Sequence, residues 1–176
     1  MLFDSASLSR RVQELARDIA HDMPGEFLVV VVLKGSFVFA ADLIRALDIA
    51  GAKPRVDFIT LSSYGTGTES KGAVAMLRDI SEDVKGQHIL LVDDIVDTGR
   101  TLKFAKEELL RRGATAVRAC LLLDKASRRV VEIKPDYVGF AIEDRFVVGY
   151  GLDLAHYYRG LPYIGVVVPD KTVGAE

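Results

Sequence analysis

A chain of 176 residues, 49% hydrophobic and 27% charged, can bury one substantial core and fits a single domain. Its formal net charge of −2 gives no global field toward nucleic acid or acidic membranes, and its one cysteine excludes an intrachain disulfide. The N-terminus lacks the basic and apolar regions of a signal peptide, and the longest apolar run, Phe27 to Leu33, is too short to span a bilayer; a cytoplasmic protein with no membrane and no nucleic-acid partner is expected.

Leu8, Val12, Leu15 and Ile19 recur at helical spacing among charged residues and predict an amphipathic helix that Pro24-Gly25 ends. Phe27 to Leu33 reads as a strand buried on both faces, the pattern of a parallel sheet. Phe37, Ala40, Ala41, Ile44 and Leu47 suggest the inward stripe of a second helix, and Pro54 to Ser62 a second strand. Ser63 to Gly72 holds three glycines and no apolar pattern, which suits a long loop acting as a lid. Ala73 to Leu77 reads as a short returning strand, and His88 to Val92 as a third core strand. The next helix turns Leu102, Ala105 and Leu109 inward and ends at Arg111-Arg112-Gly113, with both arginines read as solvated. Ala116 to Leu123 is a fourth strand, and Cys120 within it a small buried hydrophobe. Tyr137–Ile142, Phe146–Val148 and Tyr163–Val168 are short strand-like pieces, read from about 135 to 160 as a hood over one end of the sheet. The order implies an open, mainly parallel α/β sheet flanked by helices, in one domain over 1–176.

The chemistry concentrates in Val92-Asp-Asp-Ile-Val-Asp-Thr-Gly-Arg-Thr101. Asp93, Asp94 and Asp97 stand at a strand end, where open α/β sheets bind ligands. The N–H groups of Thr98, Gly99, Arg100 and Thr101 open a helix whose positive end, with two hydroxyls and a guanidinium, suits a phosphate. The acids suit sugar hydroxyls and a hard cation such as magnesium. A ligand with a phosphate and a ribose diol satisfies both halves. Two simpler readings compete. Asp97 or Thr98 could merely cap the helix, or an aspartate could accept phosphate as in receiver domains; the paired acids after an apolar strand weigh against the first, and the Thr-Gly-Arg-Thr turn against the second.

This stretch resembles the phosphoribosyl-pyrophosphate (PRPP) signature of type I phosphoribosyltransferases. Leu33-Lys34-Gly35, Ser63-Tyr64-Gly65, Leu123 to Arg128, Asp144 to Asp153 and Tyr157-Tyr-Arg159 are similar to segments of the bacterial hypoxanthine(-guanine) phosphoribosyltransferases, over about Val29 to Val168. The resemblance implies transfer of ribose 5-phosphate from PRPP to hypoxanthine or guanine. It makes Asp97 the general acid/base and gives Asp93, Asp94, Thr98, Gly99, Arg100 and Thr101 to ribose and phosphate. Lys34, Gly35, Ser63, Tyr64 and Arg159 fall to pyrophosphate, and Lys125, Phe146, Val147 and Asp153 to the purine. Mg2+ is the implied cofactor, held by Asp93, Asp94 and Asp153, and a homodimer or homotetramer is the implied assembly. In the family the peptide bond before Lys34 is often cis, which the sequence leaves open here, and the lid is expected to run over about 63–76. Two departures stand out: Asp93 occupies a position where the family commonly has glutamate, and Thr66 to Met76 matches least well. A PRPP-sensing regulator that binds nucleic acid, and a pyrimidine- or xanthine-preferring transferase, remain as alternatives.

Overall fold

The computed structural model describes residues 1–63 and 74–168. Helix α1 (Ser5–Asp22) starts where the Asp4 carboxylate accepts the Ser7 N–H at 2.8 Å, and it buries Leu8, Val12, Leu15, Ala16 and Ile19. Strand β1 (Leu28–Leu33) follows, then α2 (Phe37–Ile49), β2 (Arg55–Ser63), β3 (Val74–Arg78) and β4 (His88–Val96). After these come α3 (Arg100–Arg111), β5 (Ala116–Asp124), a single 3-10 turn (Ala126–Arg128), β6 (Tyr137–Ala141), β7 (Val147–Val148) and β8 (Gly165–Val166).

Six strands form one sheet in the order β3-β2-β1-β4-β5-β6, parallel except for the β2–β3 pair. The period of two along β1 splits the core. Val29 and Val31 join the cluster under α1 and α2, while Leu28, Val30 and Val32 join the cluster under α3. Each fully buried valine contributes on the order of 1.5–3 kcal/mol. From β1 the chain crosses through α2 to β2 on one side; from β4 it crosses through α3 to β5 on the other. The β1/β4 boundary is therefore the topological switch point, where a crevice opens beyond the strand ends.

Several expectations change. Asp93 and Asp94 lie within β4, which continues to Val96, because β5 goes on pairing with it after β1 has left. In α2 the buried residues are Phe39, Ala40, Leu43, Ala46 and Leu47; Phe37 is 45% exposed, since a helix apolar nearly all round does not reveal its inner face by pattern. Arg112 is not simply solvated: it bonds Glu108 at 2.7 Å and grips both Asp79 oxygens at 2.7 and 2.9 Å. The hood expected over about 135–160 divides, because Tyr137–Ala141 pairs in parallel with β5 as the edge of the main sheet. β7 and β8 form a separate two-stranded sheet. The N-terminus reaches this region: the N–H groups of Leu2 and Phe3 donate to the Ile164 carbonyl, and the Phe3 ring stacks on Phe140 at 4.0 Å.

Candidate active site

β1 and β4 stay paired only as far as Val31 and Val92. Beyond that point the strands part, and the segment after β1 packs into the gap. The Leu33–Lys34 peptide bond, left open by the sequence, is cis. The buried Ser36 hydroxyl donates to the Val32 carbonyl and fastens the turn into α2. Gly35 lies so close to Asp94 that a β-carbon there would stand 1.6 Å from Asp94 Oδ2. Only glycine fits this approach.

The two acids share a confined place. Asp93 accepts the Asp94 N–H at 2.9 Å, and Asp94 accepts the Ile95 N–H at 2.7 Å. Burial, then the neighbouring Asp94 charge, pushes the Asp93 carboxyl well above the ordinary range. Burial also raises Asp94, against the pull of its hydrogen bonds and of the Arg159 charge.

Val32, Leu33, Lys34, Gly35, Leu61, Asp93, Asp94, Ile95, Thr101, Asp153 and Arg159 line one cleft of about 420 Å³. Arg159 comes from a tight loop: its Nη1 donates to the Gly151 carbonyl at 2.7 Å, and its Nη2 pairs with Asp153 Oδ1 at 2.7 Å. The cleft thus carries two cations, Lys34 and Arg159, and three carboxylates, Asp93, Asp94 and Asp153.

Beside it, Gly99, with φ +84, leads into α3, and the Thr98 hydroxyl accepts the Arg100 N–H at 3.5 Å. Asp97 hangs just before this turn, and its Oδ1 accepts from Arg128 Nε at 3.0 Å. Lys125, at the end of β5, is 9% exposed and pairs with Asp144 at 3.5 Å. Its burial sets it apart from a solvated lysine at a strand end. Phe146 is 54% exposed and free of the core, while Val147 is buried in β7. Ser63 closes β2, but its side chain and all of Tyr64 lie outside the described residues, as does most of the expected lid. Among the described residues no group of three or more His, Cys, Asp or Glu forms a cage for a metal ion. His156 is a surface residue whose backbone N–H donates to Asp153. Cys120 is fully buried, and burial pushes its thiol up, away from reactivity.

The model of the phosphoribosyl transferase domain matches residues 1–155. A Salmonella typhimurium hypoxanthine phosphoribosyltransferase is 43% identical over 171 residues, covering 96% of this chain and 94% of that protein. The chain belongs to the hypoxanthine(-guanine) phosphoribosyltransferase family. A Lactococcus lactis hypoxanthine-guanine phosphoribosyltransferase is 46% identical, covering 97% of this chain and 91% of its own length. A Bacillus anthracis hypoxanthine-guanine phosphoribosyltransferase, solved with a HEPES molecule in the active site, superposes with a TM-score of 0.89 at 46% identity, covering 96% of this chain and 98% of its own. The family's mostly parallel sheet between helices is the sheet described above.

Arg128, Arg129, Asp124 and Asp144 carry no role in the reading of the sequence above. Arg129 ties the Asp124 carboxylate to the Asp97 carbonyl, the latter at 2.8 Å. The available signal was a pair of arginines shortly after Lys125; Asp97, which both of them hold, is more than 30 residues distant in sequence.

Proposed function

We propose that the cleft transfers the 5-phosphoribosyl group of PRPP to N9 of hypoxanthine, and of guanine, giving IMP or GMP and pyrophosphate in purine salvage. The observation that carries this reading is the convergence of Lys34, Gly35, Asp93, Asp94, Asp153 and Arg159 on one cleft at the switch point. Its support from kinship is the run of relatives carrying that activity in their names.

The ribose diol would accept and donate against Asp93 and Asp94, with the 5-phosphate on the N–H groups and hydroxyls of Thr98 to Thr101. Lys34 and Arg159 would hold pyrophosphate, Arg159 through its planar fork. Ser63 and Tyr64 belong to this side by resemblance. Lys125 would donate to the 6-oxo oxygen; an ammonium meets the 6-amino group of adenine badly. Phe146 would cover the purine face, which fits an aromatic ring left exposed. Val147 would meet the purine edge through its backbone. As the C1′–oxygen bond breaks and N9 bonds to C1′, Asp97 would take the proton from N7. A closed site would keep water from the ribosyl cation.

The donor set fits magnesium, which keeps several waters and borrows one or two carboxylates plus substrate phosphates, so a preformed cage is not required. Asp93, Asp94 and Asp153 would supply those carboxylates, and the ion would neutralise charge gathering on the leaving pyrophosphate. A cytoplasmic homodimer or homotetramer completes the reading; light scattering on the purified protein tests the assembly.

The test is pyrophosphate release from PRPP and magnesium with hypoxanthine, guanine, xanthine, adenine, uracil and orotate in parallel. Turnover confined to the 6-oxopurines supports the assignment. A preference for adenine or a pyrimidine refutes it, and PRPP binding without turnover of any base points to a regulator.

A further inference from the structure

Two consecutive arginines hold Asp97 at different atoms. Arg129 Nη1 donates to its backbone carbonyl at 2.8 Å while the same guanidinium pairs with Asp124, both side chains being 15% exposed. Arg128 Nε reaches its carboxylate at 3.0 Å. The Arg128 guanidinium also lies 3.4 Å from Asp144 Oδ2, and Asp144 Oδ1 lies 3.5 Å from Lys125 Nζ. An ion-pair chain therefore runs Asp97–Arg128–Asp144–Lys125. Its two ends are the group given the purine proton and the group given the 6-oxo oxygen.

We infer that Arg128 is a positioning residue for the transfer: it fixes the Asp97 carboxylate and, through Asp144, sets it in one frame with Lys125. The inference rests on the roles proposed for Asp97 and Lys125. Arg129 anchors the backbone of Asp97 but leaves its side-chain rotamers free, and Arg128 removes that freedom. A planar guanidinium can serve two carboxylates at once along fixed directions; a lysine ammonium is a point charge on a flexible stem. Side chains of Arg128, Asp97 and Asp144 are 48%, 43% and 51% exposed, so these pairs add little to stability. Their effect belongs to geometry at the reacting atoms, where small misplacements cost rate steeply.

The experiment is a double-mutant cycle with steady-state kinetics, on Arg128→Ala, Asp97→Asn and the pair, with Arg128→Lys and Asp144→Asn beside them. Arg128→Ala is expected to lower kcat about tenfold with an unchanged KM for PRPP and an unchanged Tm. Arg128→Lys should recover part of the loss. In the Asp97→Asn background, Arg128→Ala should cost nothing further, because the group it positions no longer carries a proton. Asp144→Asn should raise the KM for hypoxanthine. A wild-type kcat in Arg128→Ala, losses that multiply in the double variant, or an unchanged hypoxanthine KM in Asp144→Asn would each overturn the inference while leaving the proposed function standing. Full turnover in Asp97→Asn alone would instead sink the proton-carrier role, and this inference with it.

Discussion

Gly35 shows how little room the floor of the cleft leaves. A methyl group there meets Asp94 Oδ2 at 1.6 Å, so Gly35→Ala must push the carboxylate or the loop aside. The expected result is a fall in kcat/KM of about 100-fold, the scale of a 1 Å displacement in an active site, with the fold retained by circular dichroism. Asp93 makes the opposite bargain. Its carboxyl titrates above the ordinary value of 3.8, chiefly through burial. Such a group stabilises the fold in its protonated form: the contribution is complete below the unfolded value and is lost as pH rises through the folded one. At neutral pH Asp93 therefore weakens the fold. Asp93→Asn keeps the acceptor for the Asp94 N–H, and thermal melts at pH 7 should show a higher Tm, by roughly 2–4 °C per kcal/mol recovered. The gain should shrink toward pH 4, and PRPP affinity should fall. A lower Tm at pH 7 would show that the charge is better accommodated than its surroundings imply. For Lys125→Ala, the KM for hypoxanthine should rise at least tenfold with the KM for PRPP nearly constant; an unchanged hypoxanthine KM would remove Lys125 from base recognition. The paired acids and Lys125 were legible because adjacent residues make a motif. Arg128 was not, since its partner Asp97 lies 31 residues earlier and only the fold brings them together.

Among the elements, α3 was the most readable: its polar surroundings leave Leu102, Ala105 and Leu109 as an unambiguous stripe, and those three are the buried ones. α2 misled because apolar residues occupy every face, and β6 because a short strand carries no label of its partner. The far end of α3 offers a pH test. Arg111 and Arg112 hold the Glu108 carboxyl down to about 2 from 4.5, mainly by hydrogen bonds. A depressed carboxyl stabilises the fold above its unfolded value, and that contribution is lost as pH falls from about 4.5 to about 2. Glu108→Gln should lower Tm slightly at pH 7, and the difference from wild type should vanish near pH 2. A difference that persists at pH 2 would mean that packing, not charge, carries the effect.

For the molecule as a whole, the crossovers on opposite sides of β1 and β4 create the crevice, and the site is assembled from segments far apart in the chain. The acidic stretch was legible at once; the arrival of Asp153 and Arg159 beside it came from family resemblance, because loop-to-strand distances are not written in residue patterns. Chelation should abolish turnover, and added magnesium should restore it, if carboxylates and pyrophosphate share the ion as proposed; activity that survives EDTA would argue against that arrangement. The most direct measurement of the central claim is product analysis by mass spectrometry and phosphate-selective assay after incubating the protein with PRPP, magnesium and hypoxanthine. IMP and pyrophosphate should appear in equal amounts, with no nucleotide formed from adenine under the same conditions. Hypoxanthine left unconsumed beside bound, intact PRPP would contradict the account.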